Sequence, residues 1–136
     1  MGPKNFNKTA FLENQWVEMR WMEDIIHFTC KQNIIVDTPA AQGIHDDMIL
    51  FANGRKVAAF VDFRGVKYFS ITAMSLVSTK NYISQYKGLA ILLGSYPQII
   101  IGNFFLHIYK QNIPIKMFYD KDNAIKWIMA INAKAN

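Results

Sequence analysis

Ser70 and Thr72 stand where the pattern of the chain changes. The stretch DFRGVKYFSITAMS, residues 62 to 75, runs from the end of an apolar strand through a short turn into the start of a helix. Two chemistries suit these hydroxyls. A Ser at a helix start accepts a hydrogen bond from an unpaired backbone N–H, a contribution of about 1 kcal/mol. An accessible hydroxyl is also a phosphoryl acceptor, and a phosphate adds about two negative charges to the surface around it. Ser70 fits the capping position and Thr72 the first turn, and both chemistries stay open for the pair.

Asp62 and Arg64 come next. Strand alternation puts them on one face, so an ion pair between them is feasible. An acid at the carboxyl end of a central strand also sits where α/β proteins often place function. The plainer role is a buried carboxylate satisfied by nearby N–H groups or by Arg64, and that structural role is the favoured reading. Lys67 adds a cation to the same segment. Asn103 is a polar residue among Ile101, Phe104, Phe105 and Leu106, with His107 four residues on and on the same helical face. A buried amide there needs partners, so Asn103 either ties its helix to a loop or marks an oligomer seam.

Other reactive residues point away from catalysis. His45, Asp46 and Asp47 are consecutive, so they cannot converge on one metal ion from a helix. Cys30 falls on the apolar side of its strand with no base beside it, which reads as packing. There is no phosphate-cradling G-x-x-x-x-G-K-S/T loop, no G-x-G-x-x-G after a strand and no G-x-S-x-G elbow. A non-enzymatic protein without cofactor or metal is expected.

The elements that must position these groups can be read from periodicity. WVEMRWM, 16 to 22, puts Val17, Met19 and Trp21 on one face, and IIHFTCK, 25 to 31, does the same with Ile26, Phe28 and Cys30. Glu23-Asp24 between them predicts a tight antiparallel hairpin, although the preferred pairs at such a turn are Asn-Gly or Asp-Gly. Asp37-Thr38-Pro39 opens a helix with apolar positions at Ile44, Met48, Ile49 and Phe51, and Asn53-Gly54 closes it. VAAFVDF, 57 to 63, and GLAILLG, 88 to 94, are continuous apolar runs of the kind covered on both faces, and IKMF, 115 to 118, is a shorter third. Helices are predicted over about 71 to 84, 97 to 110 and 121 to 132. The order predicts a single α/β domain: an N-terminal antiparallel hairpin, then β-α units, forming one mixed sheet covered by about four helices, with an ordered core over about 16 to 131.

Composition agrees. The chain has 136 residues, 51% of them apolar and 14% aromatic, enough for one packed core. Its net charge of +5 comes from fifteen Lys and Arg residues scattered from Lys4 to Lys134, without the stripe of charge that nucleic-acid binders concentrate. Nucleic-acid binding is therefore not expected. The apolar segment LAILLGSYPQIIIGNFFL, 89 to 106, is cut by Gly94-Ser95-Tyr96-Pro97-Gln98, so neither half spans a bilayer as a helix. The N-terminus lacks the apolar run of a secretory signal and the Ser/Thr of a myristoylation signal, and a single Cys fits a reducing compartment, so a cytoplasmic location is expected.

With these elements in place, the chain resembles the STAS domain of anti-sigma-factor antagonists, the SpoIIAA-like fold. Asp62-Phe63 matches the end of that family's central strand, and Ser70-Ile71-Thr72-Ala73 occupies the place of its Asp-Ser-Ser-Gly. The resemblance implies that Thr72 stands at the family's phosphorylated serine. Ser70 replaces the family's Asp, and Ala73 its Gly. The C-terminal half is similar to a group of bacterial STAS-like proteins of unknown function through Gly102-Asn103-Phe104-Phe105-Leu106, Pro114, Met117-Phe118 and Ala124 to Trp127. Such proteins also look like the CRAL-TRIO lipid-binding fold.

Three functions follow as expectations. The first is a regulatory protein that works through a protein partner, with its surface around Arg64 to Ser78 and a hydroxyl switch at the strand-to-helix turn. The second is a binder of a lipid or other small apolar ligand, since the seven Met and nineteen aromatic residues can line an adaptable pocket. The third is a structural homo-oligomer, a dimer at least, with Phe104, Phe105, Tyr109, Tyr119 or Trp127 in its seam.

Overall fold

The computed structural model describes residues 11–95, 97–98 and 113–135. The elements in chain order are β1 (Phe11–Glu13), β2 (Val17–Met22), β3 (Ile25–Cys30), β4 (Ile34–Val36), α1 (Thr38–Phe51), β5 (Val57–Asp62), β6 (Val66–Phe69), α2 (Ile71–Val77), α3 (Lys80–Ile83), β7 (Tyr86–Leu92), β8 (Ile115–Phe118) and α4 (Lys121–Ala135). Six strands form one sheet in the order β1-β2-β3-β5-β7-β8. The first three are antiparallel neighbours, and β3, β5, β7 and β8 run parallel. This is the predicted mixed sheet.

The hairpin turns at Glu23-Asp24, and Met22 pairs with Ile25. Both turn residues have positive φ, 53° and 66°, the twist-matched geometry usually given to Asn-Gly. The strands' apolar alternation therefore sets the register against the turn's own preference.

The continuous apolar runs divide their residues between two faces. Ala58 and Phe60 of β5, with Ala90 and Leu92 of β7, pack on Ala124 and Ile128 of α4. Val57 and Ala59 of β5, with Leu89 and Ile91 of β7, face α1, α2 and α3 on the other side. Small residues on the first face let one long helix come close. A Cβ at Gly88 would stand 2.8 Å from Ile131. The second face also receives Met19, Trp21 and Phe28 from the hairpin.

Helix α1 begins as expected. The Ala40 N–H donates to Asp37 Oδ1 at 3.0 Å, and Pro39 lies in the first turn. Asn53 and Gly54, at φ 55° and 73°, terminate the segment. The predicted helix over 71 to 84 is instead two short pieces, α2 and α3. Ser78 Oγ donates to the Met74 carbonyl and Thr79 Oγ1 to the Leu76 carbonyl, so local side chains take the acceptors at the break. Three short strands were absent from the predicted order. β1 pairs with β2 at the sheet edge, and β4 with β6 forms a separate two-stranded parallel ribbon. The helix expected over 97 to 110 lies mostly outside the described residues.

Candidate functional site

The ribbon places the hydroxyls. Beyond β4 the chain enters α1, and beyond β6 it enters α2. The Ser70 N–H donates to the Val36 carbonyl at 3.0 Å, which holds the two helix starts side by side. Ser70 is the N-cap of α2, accepting from the Ala73 N–H at 3.1 Å. Thr72 Oγ1 accepts from Thr38 Oγ1 at 3.1 Å and lies 3.2 Å from Ser70 Oγ. Thr72 is exposed. Thr38, brought in from 34 residues away, was not among the residues singled out from sequence, and only its place at a helix start signals it.

The ribbon has one buried and one outward face. Val36 and Phe69 are buried, while Ile35 and Tyr68, partners in register, are 52% and 54% exposed. Ile71 follows at 72% exposed. Single exposed apolar residues are ordinary on protein surfaces. Here two are cross-strand partners, and the third opens the helix that carries the hydroxyls.

Asp62 is at the end of β5, on the face that Ala58 and Phe60 turn to α4. Arg64 grips it with two side-chain hydrogen bonds, Nε to Oδ1 at 2.9 Å and Nη2 to Oδ2 at 2.8 Å, and its backbone N–H adds a third at 3.2 Å. Burial pushes the Asp62 carboxyl up. The Arg64 hydrogen bonds, with the charges of Arg64 and Lys121, outweigh burial and hold it below its ordinary range. The predicted pair therefore forms. No hydrogen bond among the described residues joins it to the Ser70–Thr72 group.

Arg64 and Lys67 line an open groove of about 260 Å³ with Asn33, Tyr68, Ser95 and Gln98. The stem of Arg64 lies against Gly94, where a Cβ would stand 2.9 Å from its Cγ. Gln98, read from sequence only as part of a break, is 5% exposed and joins the two loops. Its Nε2 donates to the Arg64 and Val66 carbonyls at 3.2 and 2.7 Å, and its Oε1 accepts from the Gly94 N–H at 3.0 Å. Gly65 marks another close approach, since a Cβ there would be 2.7 Å from the Cys30 carbonyl oxygen. Asn103 and His107 lie outside the described residues.

Between the sheet and α1, α2 and α3 there is a cavity of about 160 Å³. Its wall is carbon almost throughout, with Phe28 and Ile91 from the sheet and Ala41 and Ile44 from α1. His45 joins the wall one helical turn after Ala41. The imidazole stacks on Tyr82 with centroids 3.8 Å apart, and Tyr82 donates its hydroxyl to Gln42. His45 Nδ1 is buried without a hydrogen-bond partner. Burial lowers the pKa of His45, opposed by Asp46, so the ring is neutral near pH 7. Cys30 also lines the cavity, and burial, reinforced by Asp62, pushes its thiol up to about 12. Among the described residues no three His, Cys, Asp or Glu side chains gather as metal ligands, and no helix is long and apolar enough to cross a membrane.

An antiparallel hairpin leading into a parallel sheet flanked by helices is a SpoIIAA-like α/β architecture. The chain is similar in structure to an uncharacterized protein of the DUF3478 family from Shewanella loihica PV-4, whose crystal structure has a SpoIIAA-like fold. The TM-score is 0.61 at 15% identity, with 88% of this chain and 99% of that one covered. A family model described as a domain of unknown function, DUF7793, matches residues 18–132, and the chain belongs to that family. No curated protein matches the sequence.

Proposed function

We propose that this protein is a non-enzymatic regulatory module that binds a protein partner through the outward face of the β4–β6 ribbon and the start of α2, with Thr72 as a modifiable hydroxyl within that surface. One observation carries the reading: Ile35, Tyr68 and Ile71 are exposed on the segments that carry three hydroxyls linked through Thr72. The division of labour between the hydroxyls supports it. Ser70 is occupied as a cap, so changing Thr72 leaves the start of α2 intact. A phosphate on Thr72 would replace its contacts with Thr38 and Ser70 and bring about two negative charges onto an apolar surface. Two groups of the kind used in catalysis are otherwise engaged. The Cys30 thiol is buried and protonated, and Asp62 is held by Arg64.

The test is quantitative affinity capture from the protein's own host. Wild type is compared with Tyr68→Glu, Ile71→Glu and Leu50→Glu, the last an equally exposed site away from the ribbon. A partner lost with the first two variants and kept with the third supports the surface. Equal capture by all four overturns it. Intact-mass analysis of the same wild-type preparation, under native conditions, reads any phosphate and any dimer directly, and loss of the phosphate mass in Thr72→Ala assigns it to Thr72.

A further inference from the structure

We infer that the open groove at the carboxyl ends of β3, β5 and β7 is a binding site for a phosphoryl group, held by the free edge of the Arg64 guanidinium and by Lys67. The group is inorganic phosphate or the phosphate of a small monoester. The site does not depend on the ribbon's protein partner, although Tyr68 borders both.

Three observations carry this. The first is position. β3, β5 and β7 are parallel neighbours, and the segments that follow them form the wall: Asn33 after β3, Arg64 to Lys67 after β5, Ser95 and Gln98 after β7. Open α/β sheets bind ligands outside the carboxyl ends of their strands. The second is charge. Among the described residues the groove is lined by two cations and by no Asp or Glu. The sequence has no acid at all from 63 to 119, a stretch with six Lys and Arg. Lys67 is exposed and has no ion pair among the described residues. A wall with one sign of charge draws the opposite sign to it, so the groove selects an anion. The third is unused donors. Asp62 occupies one edge of the Arg64 guanidinium, taking Nε–H and one Nη2 hydrogen. The other edge, Nη1 with the second Nη2 hydrogen, has no partner among the described residues, and the side chain is 52% exposed. That fork matches two oxygens of a phosphate.

The donors are held in place before any ligand arrives. Asp62 fixes the plane of the guanidinium, and the Arg64 stem lies against Gly94. Gln98 ties the Arg64 and Val66 carbonyls to the Gly94 N–H, and the close approach at Gly65 sets the β5–β6 turn against the end of β3. Preorganisation of this kind lowers the cost of binding. Asp62 also offsets part of the charge of Arg64, so Lys67 is needed to balance a dianion. A phosphoryl group brings three terminal oxygens, and the fork, the Lys67 ammonium, the Asn33 amide and the Ser95 hydroxyl offer more donors than a carboxylate can use.

The experiment titrates inorganic phosphate, phenyl phosphate and acetate into the full chain, with sodium chloride holding ionic strength constant and two-dimensional amide NMR as the readout. The pH is mildly alkaline, where the phosphates are dianions. Wild type is compared with Lys67→Ala, Arg64→Lys and Lys126→Ala, the last an exposed cation on α4. Arg64→Lys keeps a positive charge beside Asp62 and removes the fork. The expected result is a saturable shift of the Asn33, Gly65, Lys67 and Ser95 amides by the phosphates, with acetate weaker. Lys67→Ala and Arg64→Lys each lower phosphate affinity by about fivefold or more, and Lys126→Ala leaves it unchanged. Tighter binding of phenyl phosphate than of inorganic phosphate assigns the site to a monoester, and the reverse assigns it to the free ion. The site is overturned if neither phosphate shifts those amides saturably in wild type, a result that needs no variant to fold. The phosphoryl assignment is overturned if acetate binds equally well, and the roles of Arg64 and Lys67 if their variants bind phosphate like wild type.

Discussion

Replacing Gln98 tests whether a single buried amide joins the loops around the groove. Its side chain supplies two donors to the Arg64 and Val66 carbonyls and one acceptor to the Gly94 N–H. Gln98→Leu keeps the approximate shape and removes all three bonds. Each such bond contributes about 1 kcal/mol net, and a buried partner left without one costs about 1–3 kcal/mol. The groove is open, so water can reach some of the released groups and recover part of that cost. The expected loss is therefore about 2–3 kcal/mol. Gln98→Glu should cost at least as much at neutral pH, because a carboxylate would face two carbonyl oxygens. Its deficit should shrink in acid, where the protonated carboxyl regains one donor. Urea unfolding with an unchanged slope reads the loss as a shift in midpoint. Hydrogen exchange at the Gly94 amide provides a local check, with faster exchange expected in Gln98→Leu. A Gln98→Leu variant within about 0.5 kcal/mol of wild type, with Gly94 exchange unchanged, would refute the staple.

Four further outcomes are expected. Ser70→Ala should cost about 1 kcal/mol in urea unfolding and Ser70→Asp much less, since Asp also caps. Asp62 has a folded pKa below its ordinary range, so its stabilisation is present above the unfolded value and is lost as pH falls through the folded one. The stability gap between wild type and Asp62→Asn should accordingly be widest near neutrality and close in acid below about pH 4. Changing Glu23-Asp24 to Asn-Gly should raise thermal stability by about 1 kcal/mol, because both positions have positive φ. Ala41→Leu adds three buried carbons at about 0.8 kcal/mol each, which after some repacking strain leaves a gain of about 1–2 kcal/mol by calorimetry. Even complete filling could return no more than about 3.8 kcal/mol, at roughly 24 cal/mol for each Å³ of the cavity.

The parts of the fold legible in the sequence are those whose signals are local. Alternation in residues 17–22 and 25–30 defines a hairpin whatever lies elsewhere, and Asp37-Thr38-Pro39 writes a helix start in three residues. The continuous runs of β5 and β7 reveal strands covered on both faces for the same reason. β4 and β6 were hidden because each is short and the strand it pairs with is about thirty residues away. Within the site, Ser70 as a cap and the Asp62–Arg64 pair involve close neighbours and could be anticipated. Thr38 at Thr72 and Gln98 at Val66 join residues more than thirty apart, and nothing in their local sequence announces the meeting. The sequence sets His45 aside only as a lone histidine beside two acids, and its orphan nitrogen is visible only when its surroundings are.

The break in the helix after β6 and the cavity can be understood as one structural fact. The face toward α4 is lined by Ala58, Gly88 and Ala90, which let a single long helix settle close to the strands. The opposite face carries Phe28, Leu89 and Ile91, which stand higher, and it is covered by α1 and two short helices. Ser78 and Thr79 bond back to the preceding turn and stop α2 after seven residues. The chain then turns to place Tyr82 of α3 against His45 of α1. A continuous helix would follow one straight line across the sheet. Two short pieces each contribute to the wall of that space, Val77 from α2 and Ile83 from α3. The hydroxyls that end α2 thus border the cavity wall without lining it, just as Ser70 caps α2 and lies beside Thr72 in its first turn.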